Sequence, residues 1–506
     1  MNDASGEIKR QALLSEFEGI VDFMRTAFQE GQTAHEVETG LWQRMLNLGH
    51  SVFAAWLDLF GEGDAGDWVI LEDGRAVRRL DALHRREVRN VFGLFELRRA
   101  VYGTREGQKI EAVPLDERLG LPQGKNSYLL QDWEQALAVE MPYSTVSATL
   151  ARILGFTQSV HTLERDQRTM AAAVADFWKD RPTPPAEQEG GILVCTADGK
   201  GIPMRSGAKA PAGVEPPSTG GVRPGTKKMA LLGAVYTVDR FIRTPEEVLD
   251  ALLQDTPACE PPPSRPRPCF KYVRAALQRD GVDSTEPQVR TIFGWMGEQV
   301  AQRNPEGKKQ VILLMDGQES LWNAGWAYLP EALADVTEIL DLLHAIGYLW
   351  EAAFLFHPNG SDAARLFVKK QARRMLHGEI AAVIHALRWL GTHHKLKGKR
   401  GEALKRICGY FQNNAHRMAY DVYLEHGFPI ASGVIEGACR CVVKDRMERS
   451  GMRWIMSGAR AMLDMRCVYL SDLWEEFTTF RIQRESRRLY PGYAANDADF
   501  SQPIAA

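Results

Sequence analysis

The chain has 506 residues and a formal net charge of −3, with 44% hydrophobic and 25% charged residues. This length exceeds what one hydrophobic core usually organises, so about three folded units are expected. The composition is that of an ordinary globular protein and excludes collagen-like and intrinsically disordered classes. The balanced total leaves a nucleic-acid partner open, because basic residues can still be clustered locally.

The beginning of the chain, Met1–Arg10, lacks the charged-then-apolar order of a signal peptide. No apolar run approaches the about 20 residues that a membrane-spanning helix needs. Seven cysteines are scattered without a C-x-x-C pair, so neither a disulfide framework nor a zinc ribbon is indicated. A cytoplasmic protein without a membrane partner is therefore expected.

The first third of the chain is expected to be mostly helical, with one small sheet. Residues 1–65 carry apolar positions at helical spacing on both sides of Gly31, which predicts two helices of an oligomerisation region. Residues 66–122 change to an extended, basic pattern that predicts a small antiparallel sheet. Residues 123–180 predict three further helices.

Two helices within 123–180 have the spacing of a helix-turn-helix. The first ends at Gly155, and the second begins after Ser159, which can cap it. A plain helical hairpin is the alternative, because the motif is short and permissive. In a DNA-reading motif, the exposed side of the second helix would carry Gln158, His161, Thr162, Arg165 and Arg168.

A Pro- and Gly-rich linker at 181–190 precedes two apolar runs that each end in Asp-Gly. The first run leads to Asp198 and the second to Asp316, so each predicts a carboxylate at the end of a buried strand. Such an acid is poorly solvated, and a divalent cation shared between two strand ends can keep both ionised. The alternatives are a hairpin turn at either Asp-Gly, or a helix cap at Asp316.

The region 191–355 predicts three strands, a helix, and then strands alternating with helices, which is the order of an RNase H-like α/β domain. The first and fourth strands are neighbours in that fold, so Asp198 and Asp316 are expected side by side. The predicted first elements are strands at 191–197, 202–205 and 229–238, a turn at 198–201, and helix from about 268 to 302.

The segment 356–430 is expected to be a basic helical insertion into this domain. A solvated helix surface is the alternative, but the excess of one sign of charge favours a surface that faces a polyanion. Four of its residues are the strongest candidates for DNA contacts: Lys395, Lys397, Lys399 and Arg400.

A third acid, Glu436, lies within 431–480, one turn into a helix that Ser432 can cap. Its neighbours are small and apolar, and a surface salt bridge with Arg440 is the alternative. Three carboxylates from two strands and one helix can hold two Mg²⁺ or Mn²⁺ ions about 4 Å apart for phosphodiester cleavage. The candidates for contacts with the flanking phosphates are Lys444, Arg446 and Arg453.

The strings Ser432–Glu436 and Val442–Trp454 resemble the carboxyl-terminal signature of prokaryotic insertion-sequence DDE transposases of the IS-Kra type, a Mutator-related superfamily. Asp198-Gly-Lys-Gly and Asp316-Gly-Gln are similar to the two aspartate motifs of this family. The family's D/C-x-x-H motif has its counterpart in Asp341-Leu-Leu-His344. One departure is that 66–122 has no cysteine, where relatives often carry a zinc ribbon.

The resemblance implies an RNase H-like catalytic core with a large helical insertion, preceded by a mostly helical DNA-binding region with a small β-sheet. It implies Asp198, Asp316 and Glu436 as the catalytic metal-binding triad for two Mg²⁺ or Mn²⁺ ions, with Asp341 and His344 as an accessory motif. Residues 481–506 would be a tail.

The implied function is a DNA transposase that binds the terminal inverted repeats of an insertion sequence and joins them to target DNA. Because two DNA ends must be held together, a homodimer or a larger homo-oligomer is expected. One alternative is an RNase H-like nuclease that cuts without joining. The other is a non-catalytic, transposase-derived regulator that only binds DNA.

Overall fold

The computed structural model describes residues 3–105, 109–205, 227–253, 265–278, 286–328, 336–449 and 451–491. The chain divides into two compact units. The first contains the residues up to Ala173 together with those from Glu475 onwards, and the second contains Val174–Trp474. The segment expected to be a linker, 181–190, therefore lies inside the second unit. Among the described residues, no helix is long and apolar enough to span a membrane.

The first unit begins with the two helices expected from the sequence, α1 (Asp3–Gln29) and α2 (Ala34–Asp58). A capping box starts α2: the Glu36 N–H donates to Thr33 Oγ1 at 3.4 Å, and the Thr33 N–H donates to the Glu36 carboxylate at 2.8 Å. The turn between the helices needs Gly31, whose φ is +65°.

Where one small sheet was expected, the first unit has two. The strands are β1 (Trp68–Ile70), β2 (Ala76–Arg79), β3 (His84–Asn90), β4 (Gly93–Arg99) and β5 (Tyr102–Gly103). β3 and β4 form an antiparallel hairpin, whereas β1, β2 and β5 form a separate antiparallel sheet. The expected single sheet is divided between β2 and β3, where residues 81–82 form a bend.

Four helices follow in the first unit: α3 (Pro114–Arg118), α4 (Tyr128–Glu140), α5 (Tyr143–Leu154) and α6 (Val160–Ala171). The expected spacing of the last two is confirmed. Gly155 ends α5 in the left-handed conformation with φ of +77°, and the Thr162 N–H donates to Ser159 Oγ at 3.1 Å at the start of α6. Leu130, Val146 and Leu163 form the buried core of α4 to α6.

The second unit opens with α7 (Val174–Asp180), a 3₁₀ turn at Ala186–Gln188 and a five-stranded sheet. Its strands and interleaved helices are β6 (Ile192–Pro203), β7 (Lys227–Val238), α8 (Pro245–Leu253), β8 (Cys269–Leu277), α9 (Glu286–Arg303), β9 (Gln310–Met315), α10 (Glu319–Tyr328) and β10 (Val336–Leu340). The strand order is β10-β9-β6-β7-β8. β7 is antiparallel to β6 and β8, whereas β9 and β10 run parallel to β6.

Two predictions about this sheet were wrong in detail. β6 continues through 198–201, where a turn was expected, and the expected second strand at 202–205 is its far end. The reason is that β7 pairs with β6 along its whole length, from Ile192 with Val238 to Pro203 with Lys227. β8 lies where helix was expected, because its residues complete the ladder on the open edge of β7.

The pairing of β6 with β9 confirms that the first and fourth strands of the sheet are neighbours. Helix α9 packs closely on the sheet at Gly233, where a Cβ atom would come within 2.5 Å of the side chains of Ile292 and Met296. A glycine in β7 therefore lets the helix approach the strand. All residues from Ile192 to Ala197 on β6 are buried, as expected for the core of the sheet.

The described elements after β10 are helical. After β10 the described helices are α11 (Leu342–Phe354), α12 (Asp362–Leu376), α13 (Ile380–His393), α14 (Gly398–Asn413), α15 (Tyr420–Glu425), α16 (Gly433–Ala438), α17 (Asp445–Met447), α18 (Met456–Leu470) and α19 (Trp474–Leu489). A 3₁₀ turn spans Ala415–Arg417, and a π-helical turn, Cys439–Lys444, joins α16 to α17. The segment 356–430 is helical, as expected.

The last helix returns to the first unit, although residues from 481 onwards were expected to be a tail. Helix α19 extends to Leu489, and Arg481 on it is 3% exposed. Its Nη1 donates to Gln131 on α4 at 2.9 Å. Burial of this arginine against α4 explains why the helix continues past 480, and the expected tail from 492 lies outside the described residues.

Candidate active site

Two acids stand level on the neighbouring parallel strands β6 and β9. The pairing of these strands runs as far as Cys195 with Leu313. Asp198, within β6, and Asp316, directly after β9, each come three residues later, so the register places them at the same position along the two strands. Their predicted side-by-side arrangement therefore agrees with the register of the sheet.

A third acid, Asp341, stands at the same level on the next strand. Strands β9 and β10 pair as far as Met315 with Leu340, and Asp316 and Asp341 are the residues that follow. The Asp341 N–H donates to the Met315 carbonyl at 2.9 Å. Asp198 within β6 and the acids that directly follow β9 and β10 therefore share one register position across three adjacent parallel strands.

Asp316 is a desolvated carboxylate in a cluster of like charges. Its Oδ1 accepts a hydrogen bond from the Gln318 N–H at 3.0 Å. Burial raises the pKa of Asp316, and the negative charges of Asp198 and Asp341 add to this rise, against the lowering effect of the hydrogen bond and of His344. A bound cation would stabilise the ionised form that this environment disfavours.

Asp198 lies within β6 rather than at its tip, because the strand continues past it. Its Oδ1 accepts from the Gly199 N–H at 2.6 Å, and its Oδ2 accepts from the Cys439 thiol at 3.4 Å. Burial and the charge of Asp198 raise the pKa of the Cys439 thiol, which keeps this donor protonated. The contact ties the strand to the π-helical turn that directly follows α16.

Asp341 is 0% exposed, and both of its oxygens are occupied by protein donors. Oδ1 accepts from the N–H groups of Leu343 at 3.0 Å and Ser432 at 3.1 Å. Oδ2 accepts from Ser432 Oγ at 2.6 Å and His344 Nδ1 at 2.9 Å. Burial acts to raise the pKa of Asp341, but the hydrogen bonds from His344 and Ser432 outweigh it and lower the pKa. Asp341 is therefore an ionised carboxylate whose hydrogen-bonding capacity is filled by protein donors.

The sequence predicted that the side chain of Ser432 caps α16, but it does not. Its hydroxyl instead donates a charge-assisted hydrogen bond to the buried carboxylate of Asp341. The hydrogen bonds from Ser432 fasten the start of α16 to the end of β10. This fastening sets where Glu436, one turn into the helix, can lie.

Glu436 is directed to this cluster. Its Oε1 lies 3.9 Å from His344 Nδ1, and its side chain is 42% exposed. Burial raises the pKa of Glu436, as do the charges of Asp341 and Asp198, while His344 lowers it. The alternative partner, Arg440, lies 3.8 Å from Asp445 instead.

His344 carries the positive charge of the cluster. The hydrogen bond to Asp341 raises the pKa of His344 to about 9, so the imidazolium form dominates at neutral pH. Asp316 and Asp198 raise the pKa further through their charges. The ring therefore balances part of the surrounding negative charge.

Among the described residues, one group of three offers ligand atoms that all lie within 4.8 Å of one another: Asp341, His344 and Glu436. Asp198 and Asp316 are outside this group. Asp341 is a poor metal ligand here, because four protein donors already occupy its oxygens. Asp198, Asp316 and Glu436 offer the all-oxygen set that Mg²⁺ or Mn²⁺ prefers.

Four of the five residues predicted for a DNA-reading helix are at least partly accessible. His161 and Arg165 are exposed, and Thr162 and Arg168 are half-buried. Gln158, in contrast, is 3% exposed. It donates to Glu134 at 2.8 Å and accepts from Arg89 at 3.1 Å, so a buried polar network removes it from the surface.

The basic residues predicted in the second unit also divide by burial. Lys395 and Lys397, in the turn between α13 and α14, and Lys399 and Arg400, in the first turn of α14, are exposed. Lys444 and Arg453 are exposed as well. Arg446 is only 1% exposed, because its guanidinium carbon lies 5.2 Å from the ring centre of Trp454, so it is not a surface contact for phosphate.

Sequence reasoning missed the parts played by Ser432 and Cys439. The position of Asp341 beside Asp316 could have been predicted from the sequence. Residues 336–340 form an extended run that is followed by an acid, as the run before Asp316 is. The hydrogen bonds to Ser432 and Cys439 join residues far apart in the chain, and no local pattern indicates them.

No protein-family profile matches the sequence, and no curated protein sequence matches it. Among solved structures, the chain is similar to the Drosophila P element transposase strand transfer complex, with 11% sequence identity and a TM-score of 0.26. The similarity covers 76% of this chain and 89% of that chain. A TM-score this low supports no functional argument.

Proposed function

We propose that the second unit is an RNase H-like core that cuts phosphodiester bonds with divalent metal ions, and that the protein is a DDE transposase. The observation that carries the proposal is the shared register position of Asp198 within β6, Asp316 after β9 and Asp341 after β10, with Glu436 directed to the same cluster. The strand order supports the RNase H-like assignment, since the first three strands are antiparallel and the last two parallel to the first.

In this proposal, Asp198, Asp316 and Glu436 hold two Mg²⁺ or Mn²⁺ ions. The fit rests on their oxygen donors and on Asp316, whose burial among like charges disfavours ionisation unless a cation is near. When bound, such ions supply an activated water and stabilise the leaving 3′-oxygen. Asp341 and His344 position Glu436 rather than bind the ions.

DNA is the proposed substrate, because the exposed cations of the second unit match a phosphate backbone. Lys395, Lys397, Lys399 and Arg400 cluster within six residues of the turn between α13 and α14. The α5–α6 pair of the first unit would bind the ends of the element through His161 and Arg165. Holding two ends together would require a homodimer or larger assembly, and the IS-Kra type is the family we infer.

The test is a strand-transfer assay with labelled DNA from the ends of the element that encodes the chain, with and without Mg²⁺. Joined products support the transposase. Cleavage without joining supports the nuclease, and binding without cleavage supports the DNA-binding regulator.

Substitutions in the site sharpen this test. Asp198→Asn, Asp316→Asn and Glu436→Gln should each abolish cleavage while leaving the Kd for DNA nearly unchanged, because each removes a metal ligand and no phosphate contact. Asp362→Asn, at an exposed acid on α12, is the matched control and should cleave normally. Near wild-type cleavage by any one of the three variants would show that the triad is misassigned.

A further inference from the structure

A groove lies beside Glu436 on the surface of the second unit. Its volume is about 300 Å³, and the residues that line it include His344, Gly347, Tyr348, Glu351, Arg406 and Glu436. Most of these residues share one face of α11, whereas Arg406 comes from α14. We name it the Gly347 groove. None of the roles assigned above uses Gly347, Tyr348 or Arg406.

Gly347 has no evident packing role. It is exposed in the middle of α11, where glycine destabilises a helix relative to alanine. A Cβ atom at this position would meet no atom of the chain within 4 Å. Gly317 differs, because a Cβ there would collide with the ring of Tyr410. A glycine in an open groove suits the close approach of a ligand to the helix backbone.

The groove combines a cation with an aromatic wall. The Arg406 guanidinium carbon lies 5.6 Å from the ring centre of Tyr348 and pairs with Glu351. Tyr348 is held by stacking on Tyr410, with ring centres 3.9 Å apart. A guanidinium suits a phosphate, and a fixed aromatic ring suits the sugar or base of one nucleotide.

We propose that the Gly347 groove receives the nucleotide next to the phosphodiester bond that is cut, with the DNA backbone crossing α11 at Gly347. The proposal rests on the function proposed above, since Glu436 forms one side of the groove. Arg406 contacts the phosphate of this nucleotide, and the absence of a side chain at Gly347 lets the strand reach the acids.

The first test fills the groove. Gly347→Leu should lower kcat/KM for cleavage of a DNA end by about tenfold or more, and Gly347→Ala should have an intermediate effect. Folding should be retained, because alanine and leucine favour helices over glycine. The control is Ala251→Leu at an exposed position of α8 that does not line the groove, and it should cleave normally. If Gly347→Leu cleaves with unchanged kcat and KM, the proposal is wrong.

The second test does not depend on catalysis. A photoreactive p-benzoylphenylalanine in place of Leu343, which also lines the groove and leaves Gly347 open, should crosslink to a labelled DNA end, and excess unlabelled end DNA should abolish the crosslink. Absence of a crosslink to DNA that the protein binds would overturn the groove assignment. If the wild-type protein never cleaves DNA, the proposed function fails, and the crosslink still decides whether the groove takes DNA.

Discussion

Asp341 is a buried carboxylate that joins two elements of the candidate site through its hydrogen bonds. It is 0% exposed and accepts four hydrogen bonds, two of them from Ser432. Removing a partner from such a carboxylate leaves an ionised group without full compensation. The geometry of α16, and with it Glu436, therefore depends on Ser432.

Ser432→Ala tests this dependence. We expect kcat for cleavage to fall about tenfold with little change in KM for DNA, because a hydrogen bond to a charged group contributes about 1.5–3 kcal/mol. Amide hydrogen exchange in Gly433–Ala438, measured without DNA or metal, should become faster. Ser432→Thr keeps the hydroxyl and should restore both values. Unchanged hydrogen exchange in Ser432→Ala would show that the hydrogen bonds from Ser432 to Asp341 do not hold α16 in place.

At the scale of elements, the bundle of α4, α5 and α6 contains a buried acid whose ionisation would destabilise the fold. Glu134 on α4 is 0% exposed and accepts from Gln158 at 2.8 Å and Asn126 at 3.3 Å. Burial, followed by the charge of Asp166, raises the pKa of Glu134 to about 8. The protonated form is thus favoured in the folded bundle at neutral pH.

The stability of this bundle should therefore depend on pH. An acid whose pKa is raised on folding contributes stability that is fully present below its unfolded pKa, here 4.5, and is lost as pH rises through about 8. Hydrogen exchange in α4, corrected for the intrinsic rate, should show easier opening at pH 9 than at pH 6. Glu134→Gln should flatten this dependence. An equal dependence in the variant would assign the effect to another group.

At the scale of the whole molecule, the proposed binding of DNA should depend on the exposed cations. Replacing Lys395, Lys397 and Lys399 by Gln should weaken DNA binding and flatten its salt dependence, because fewer counterions are released. The slope of log K against log salt should become shallower by about 0.9 for each phosphate that the variant no longer neutralises. Lys308→Gln is the control, at a residue that is 81% exposed before β9. An unchanged slope in the triple variant would make this turn an ordinary solvated surface.

Much of the fold could be predicted from local patterns. Helices α1, α2, α5 and α6 followed from apolar spacing and from Gly155 and Ser159, since both signals act within a few residues. The strands before Asp316 and Asp341 were likewise evident as apolar or extended runs. The turn predicted at 198–201 failed because Asp-Gly also fits within a long strand when a partner strand continues beside it.

The sequence by itself determined that Asp316 follows a buried strand, which helices are basic, and that Glu436 lies one turn into its helix. Only the tertiary structure decided that Asp341 joins Asp198 and Asp316 at one register position, and that Ser432 holds it. It also decided that Gln158 and Arg446 are buried. The physical reason is that strand register and burial depend on contacts between residues distant in the chain, whereas propensity and charge are properties of each segment alone.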